Sequence, residues 1–254
     1  MKNLTKNYHT HTARCGHAVG TDREYVESAV RAGFTTLGFS DHAPMPFPDG
    51  HESSFRVPLA KAADYFGSIA CLREEYQKDI RIFIGLEVEY YPALFPAFLS
   101  FIRDFSPDYL ILGQHFVYEE TPENGSFSDT QDPEKLRRYY RNVLEAVDTG
   151  AFLYVAHPDV LHYTGDEKTY ETLTRAFLKD LQPYRIPLEI NRLGMEEKRI
   201  YPRKKFWQLA GEYGFSAVIG MDAHSPAALL DEKSVDACVA LADACGLQTA
   251  DICI

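Results

Sequence analysis

The stretch Thr35-Thr36-Leu37-Gly38-Phe39-Ser40-Asp41-His42 is a short apolar run that stops at two side chains able to do chemistry. A continuous apolar run of this length suits a strand buried on both faces. The same unit recurs along the chain. Leu4 to Tyr8 ends at His9, and Ile80 to Val88 carries Glu87. Tyr109 to Leu112 leads to His115, and Phe152 to Val155 leads to His157. Ile186 to Ile190 carries Glu189 and ends at Asn191, and Ser216 to Ile219 leads to Asp222 and His224. These are seven strand candidates.

Helical patterns separate them. Thr21 to Ala32 opens with a Thr21/Glu24 pair at capping-box spacing. Leu59 to Lys78 is long and amphipathic. Ala93 to Phe105 follows Pro92, and Asp132 to Asp148 has Pro133 in its first turn. Lys168 to Leu181, Arg203 to Tyr213 and Ser234 to Cys245 complete the set, the last two followed by the stop signals Gly214 and Gly246. Alternation of this kind predicts an α/β fold with a parallel sheet and helical crossovers. A closed barrel is expected over an open sheet, because only a barrel brings the C-terminal ends of all seven strands to one mouth. The expectation is therefore a single domain, residues 1–254, folded as a distorted TIM-like (β/α)7 barrel. Ala43 to Pro58, with three prolines in its first six residues, is expected as a loop over that mouth, and Glu119 to Asp132 as another.

Composition narrows the function. Apolar residues make up 45% of the 254, enough for a substantial core. The formal net charge of -11 argues against a nucleic-acid partner held by phosphate contacts, although bound divalent ions would still admit small anionic substrates. Cys15, Cys71, Cys238, Cys245 and Cys253 form no CxxC pair and are odd in number, the usage of a reducing compartment. Met1 to Tyr8 has no signal-peptide run, and no segment approaches the roughly 18 apolar residues of a membrane helix. A soluble, cytoplasmic protein without a membrane partner is expected. Trp207 and the scattered tyrosines mark no interface.

The histidines carry the chemistry. His9 and His11 are two apart, so on a strand both imidazoles face one side and can bind one ion. Asp222 and His224 repeat that spacing. Glu87 sits inside an apolar run, where a carboxylate without a partner is costly. A lone histidine beside an apolar run is more often a hydrogen-bonded core or surface residue than a ligand. The joint pattern argues otherwise. Seven of the nine histidines, all but His51 and His162, lie at strand C-terminal ends or in the loop that follows, and none falls in a helical segment. A transition-metal centre of imidazoles and carboxylates follows, and with it a metal-assisted hydrolase. Cys15, beside His17, reads as a buried thiol before it reads as a soft ligand. Asp41 and Asp159 read as acceptors that orient nearby imidazoles.

The segments Tyr8-His9-Thr10-His11-Thr12, Cys15-Gly16-His17-Ala18 and Leu37-Gly38-Phe39-Ser40-Asp41-His42-Ala43-Pro44 resemble the PHP (polymerase and histidinol phosphatase) family, closely its stand-alone histidinol-phosphatase branch. Gly85-Leu86-Glu87, Gly113-Gln114-His115-Phe116, His157-Pro158-Asp159, Leu188-Glu189-Ile190-Asn191 and Asp222-Ala223-His224 follow in family order, so the resemblance spans nearly the whole chain. It implies the distorted seven-unit barrel and a trinuclear centre. By motif, His9, His11, Glu87 and Asp222 would hold one ion. Glu87 would bridge to a second held with His115 and His157, and His17, His42 and His224 would hold the third. Two to three ions of zinc, iron or manganese are expected. The activity implied is hydrolysis of a phosphomonoester, first of all L-histidinol phosphate in histidine biosynthesis. Asp222 would orient the attacking water, and His224 or a water would protonate the leaving group. The alternatives are a phosphoesterase for another small phosphate or nucleotide, and a metal-binding domain without turnover. The pattern departs from the branch in its arginines. None follows His157-Pro158-Asp159, and Glu196 stands where a second is expected, which leaves Arg192, Lys198 and Arg199 as candidates to bind the substrate phosphate.

Overall fold

Each apolar run is short because its C-terminal end must deliver a polar group, and the strands follow suit. In the computed structural model, which describes residues 4–118, 120–121, 124–252 and 254, β1 (Lys6–Asn7), β2 (Thr36–Phe39), β3 (Arg81–Val88) and β4 (Tyr109–Leu112) lie in that order in one sheet. β1 and β2 run parallel with Lys6 opposite Thr36, and β2 and β3 run parallel with Thr36 opposite Arg81. β5 (Leu188–Asn191), β6 (Ser216–Gly220) and β7 (Gln248–Thr249) form a second sheet, in which β6 and β7 are parallel. The helices are α1 (Asp22–Ala32), α2 (Ala62–Glu75), α3 (Phe95–Ile102), α4 (Pro133–Asp148), α5 (Glu167–Leu181), α6 (Arg192–Glu196), α7 (Lys204–Glu212) and α8 (Glu232–Ala244). Cys253, the first three residues of the N-terminal reading, and Glu119, Pro122 and Glu123 of the second expected loop lie outside the described residues.

The fold is α/β with parallel strands, as expected, and the helices match the sequence pattern closely. Thr21 and Glu24 make the expected capping box, and Asp132 caps α4 through the backbone N–H of Glu134. One strand expectation needs correction. Phe152 to Val155 is not a regular strand: only Val155 pairs, in parallel bridges to Leu112 and Leu188. The reason is local, since two residues later His157 takes φ +30° and turns the chain. α6 and β7 have no counterpart in the sequence reading. Asn191, expected only as a strand end, also caps α6 by accepting from the backbone N–H of Gly194.

The chain divides into two compact units, residues 1–111, 220–236 and 254 in one, and 112–219 and 237–253 in the other. The first unit is organised around Tyr109. Its hydroxyl lies 2.8 Å from the Tyr8 carbonyl and 3.0 Å from that of Phe39, so one phenol holds the ends of β1 and β2. Gly38 and Gly85 make room for it; a Cβ at Gly85 would lie 2.6 Å from the Tyr109 ring. The returning segment is stitched alongside β1: Met221 N–H donates to Asn7 Oδ1 at 3.0 Å, and His11 N–H to the Ala223 carbonyl at 3.0 Å. Thr10 and Ala223 form a parallel bridge, so the two x-His pairs run side by side.

The second unit packs helix on helix. Tyr140 of α4 stacks on Phe177 of α5 with centroids 4.2 Å apart, and its hydroxyl meets Thr174 Oγ1 at 2.8 Å. Gly211 allows α7 to touch the end of α8, where a Cβ would meet the Cys245 carbonyl. Among the described residues no helix is long and apolar enough to cross a membrane.

Gly85→Ala tests the Tyr109 arrangement. The added methyl has no space, and overpacking of this kind costs about 1–3 kcal/mol. The urea midpoint should fall accordingly, with the urea dependence of stability unchanged; an unaltered midpoint would show that the ring gives way freely.

Candidate metal centre

In the first unit, seven of the expected ligands converge: His9, His11, His17, His42, Glu87, Asp222 and His224. All but His224 and His17 are buried. His9 Nε2 lies 3.2 Å from His11 Nε2, 3.6 Å from Glu87 Oε1 and 3.4 Å from Asp222 Oδ1. His11 Nε2 lies 3.0 Å from Asp222 Oδ1 and 3.6 Å from Glu87 Oε2, and His42 Nδ1 lies 2.9 Å from Glu87 Oε2. His17 Nε2 and His224 Nε2 are 3.0 Å apart.

The partners of the other ring nitrogens fix the tautomers. His17 Nδ1 donates to the Cys15 carbonyl and His224 Nδ1 to the Asp222 carbonyl, both at 3.1 Å. A carbonyl only accepts, so each Nδ1 carries the proton and each Nε2 presents a lone pair. Those two lone pairs point at one another across 3.0 Å. His11 is oriented in the same sense, with Nδ1 against Asp41 Oδ1 at 3.2 Å and Nε2 toward His9 and Asp222. Facing lone pairs require a proton or a cation between them. Nitrogen ligands at 2.0–2.1 Å in tetrahedral array sit about 3.3 Å apart, which matches this spacing. The donor set, imidazole nitrogen and carboxylate oxygen, therefore fits divalent transition-metal ions.

The electrostatics describe the same cluster. Burial pulls the His11 pKa down, but hydrogen bonds to Asp222 and Asp41 outweigh it and hold it well above its ordinary value. Burial would raise Asp222, but the adjacent His9 and His11 hold it well below the carboxylate range. Burial and the charge on His11 push His224 down to about 3, which leaves its Nε2 lone pair available at neutral pH. Asp222 adopts φ +48°, a conformation that non-glycine residues adopt mainly where the surroundings impose it.

Asp41 is the hub behind the ligands. It accepts from Thr12 N–H at 3.0 Å, Thr12 Oγ1 at 2.5 Å and His42 N–H at 2.9 Å, besides holding His11. Cys15 is buried and donates its thiol to the Thr12 carbonyl at 3.1 Å. The expected loop Ala43 to Pro58 folds back onto His42: Val57 N–H donates to the His42 carbonyl at 3.1 Å, and the Phe55 ring meets the His42 ring edge-on at 5.2 Å. Arg56 and Glu89, both buried, pair at 3.2 Å and pin this strap. The sequence reading missed them, because neither lies in a motif and the pair is visible only once β3 and the strap are in register.

In the second unit, His115 and His157 lie with ring centroids 4.9 Å apart. Tyr201 stands 5.8 Å from His157, and Phe127 stands 6.2 Å from His115. Asp159, expected to orient an imidazole, instead accepts from the backbone N–H of Arg203 at 2.5 Å, and burial pushes its carboxyl up to about 7. The three candidate phosphate binders differ. Arg192 is buried and ion-paired with Glu196. Lys198 is exposed, on a backbone at φ +53°. Arg199 donates from Nη1 to the Tyr201 hydroxyl at 2.9 Å and from Nε to Glu197 at 2.6 Å. His51 is exposed in the strap, and His162 donates its backbone N–H to the Ser126 carbonyl.

A family model for the PHP domain matches residues 7–193, and the chain belongs to that family. It is 29% identical over 224 residues to a protein of Deinococcus radiodurans named "Probable histidinol-phosphatase", with 86% of this chain and 85% of that protein covered. It is 33% identical over 115 residues to the histidinol-phosphatase of Bacillus subtilis, with 43% of each chain covered. The solved structure of a histidinol phosphate phosphatase from Lactococcus lactis, complexed with zinc, L-histidinol and phosphate, shares the fold with a TM-score of 0.74 at 23% identity, covering 96% of this chain and 95% of that one.

Asp41→Asn tests the hub. It removes the charge that holds the His11 tautomer and leaves an amide N–H₂ where two donors already point. Zinc affinity, measured by competition with a chromogenic chelator, should weaken about 10–100-fold, the range for lost support behind a ligand. Wild-type affinity would show that His11 needs no such orientation.

Proposed function

We propose that this protein is a metal-dependent phosphomonoesterase that hydrolyses L-histidinol phosphate to L-histidinol and phosphate, a reaction of histidine biosynthesis. The observation that carries the proposal is the set of Nε2 lone pairs and carboxylate oxygens converging at 3.0–3.6 Å in a PHP-family chain. The names of the relatives support the substrate, and the zinc, L-histidinol and phosphate of the Lactococcus lactis complex support the chemistry.

The family resemblance supports a single domain, residues 1–254, closed as a distorted seven-unit barrel, and the single bridges at Thr10/Ala223 and Leu112/Val155/Leu188 are consistent with that. It also supports adding His115 and His157 to the seven ligands above, for two to three ions of zinc, with iron or manganese as substitutes. Divalent ions bound there neutralise phosphoryl charge and lower the pKa of water. The chain's own groups do the remaining work. Asp222, ionised, orients the attacking water. His224 presents its Nε2 lone pair, which suits a ligand, with Nδ1 held by the Asp222 carbonyl, and the leaving alkoxide takes its proton from His224 or from a water. Of the three cations, Arg199 is assigned to the substrate phosphate: its guanidinium fork suits a phosphate, and it is held beside Tyr201. Arg192 is buried, whereas Arg199 is exposed. A cytoplasmic location is part of the same reading, supported by the absence of a disulfide among the described cysteines.

One observation favours a second reading. No arginine follows His157-Pro158-Asp159, and Glu196 stands where a second is expected from the resemblance to the histidinol-phosphatase branch, which favours a different small phosphate ester. A panel of phosphomonoesters and phosphodiesters, assayed with metal-reconstituted protein, separates the two. Histidinol phosphate should be turned over best, and Glu87→Gln should reduce that rate at least ~100-fold, since it removes a carboxylate charge that would hold the ions. Better turnover of another ester would decide for the second reading; near-normal turnover by the variant would remove Glu87 from the site.

A further inference from the structure

Phe127 is half exposed, at 51%, while Tyr201 beside it is buried. It is not on a loose segment. Phe116 and Gly125 form an antiparallel bridge, Val117 N–H donates to the Asn124 carbonyl at 2.9 Å, and Ser126 N–H donates to the His115 carbonyl at 2.6 Å. The Ser126 carbonyl in turn accepts from His162 N–H at 2.8 Å. The residue before Phe127 is thus fixed on both sides of its backbone, one of them the backbone of a candidate ligand.

Two other rings stand beside that of Phe127. His115 is 6.2 Å away and Tyr201 is 6.3 Å away, centroid to centroid, and Tyr201 is 5.8 Å from His157. Arg199 caps the group, with its Cζ 5.5 Å from the Phe127 centroid and 5.9 Å from that of Tyr201, and its hydrogen bond to the Tyr201 hydroxyl holds it there. The result is a small cradle, apolar on one wall, cationic at the rim, and beside two imidazoles that are expected to hold an ion. Water-exposed aromatic surface in a fixed orientation is costly to maintain and is well suited to cover a second flat ring.

Resting on the phosphomonoesterase reading above, we propose that Phe127, backed by Tyr201 and Arg199, is the specificity-determining residue of this site: it takes a flat aromatic ring on the alcohol half of the substrate. The cradle selects phosphate esters whose alcohol bears an aromatic ring, such as imidazole, over aliphatic ones. The Phe127 ring itself meets neither the phosphoryl group nor the water, so its contribution is to which ester is chosen.

The test is the ratio of kcat/KM for histidinol phosphate to that for glycerol 3-phosphate, measured with zinc-reconstituted wild type, Phe127→Ala, Phe127→Leu and Phe127→Tyr. The wild type should favour histidinol phosphate. Alanine and leucine should each reduce the ratio at least about 10-fold, tyrosine should restore it, and zinc content and Tm should match wild type in all four. Leucine separates the ring from its bulk. A ratio unchanged by alanine, or restored by leucine, overturns the inference while leaving the phosphatase reading intact. So does a loss of zinc in Phe127→Ala, which would make the ring a structural support for His115. A wild type that hydrolyses both esters but prefers neither also overturns it. A zinc-loaded wild type that hydrolyses neither ester removes the phosphatase reading, and the inference with it.

Discussion

Two imidazole nitrogens with their lone pairs aimed at each other, His17 Nε2 and His224 Nε2 at 3.0 Å, set the terms for the first unit. The same conflict recurs a few ångströms of chain away, where His9 and His11 face each other beside Asp222 and Glu87. Burying carboxylates and lone pairs together is unfavourable unless a cation completes them. A protein could relieve this by protonating an imidazole, and the raised pKa of His11 is that response. Ions of suitable size relieve it at every position at once, and supply chemistry as well.

Much of the surrounding structure keeps those donors aimed. Asp41 holds the His11 tautomer while accepting from Thr12 and His42, so one carboxylate ties the His11–Thr12 segment to its own. Tyr109 ties the carbonyls of Tyr8 and Phe39, each just upstream of a ligand, and glycines at 38 and 85 leave space for its ring. The strap through Phe55 and Arg56 closes on His42. Positive φ at His157 and Asp222 puts backbone strain at candidate ligands, where it is tolerated because the neighbours over-determine it. Selectivity is a separate matter, handled by the Phe127 cradle on the second unit.

The parallel α/β architecture was legible because the apolar runs end abruptly and helices with clear caps separate them; Thr21 and Asp132 behave as their residue types dictate. The convergence of His9, His11, His42, Glu87, Asp222 and His224 was legible for the same reason, since strand ends are where a parallel fold collects side chains. Other features were not. Phe152 to Val155 has strand composition, but the turn at His157 leaves only Val155 to pair. α6 hides behind Gly194, a residue that weakens any helical pattern, and depends on the Asn191 cap. The Arg56–Glu89 pair and the Phe127–Tyr201–Arg199 cradle join residues far apart in sequence with no shared spacing. Asp159 looked like an imidazole partner by proximity in sequence, yet the chain direction after His157 turns it to the Arg203 backbone.

The most direct test of the account is the metal content of active protein purified without chelator, measured by elemental analysis on a quantified chain. Two to three transition-metal ions per chain are expected, lost on dialysis against chelator together with phosphomonoester hydrolysis. A value near zero in protein that still turns over its substrate would contradict it, because the converging lone pairs would then be satisfied by protons alone.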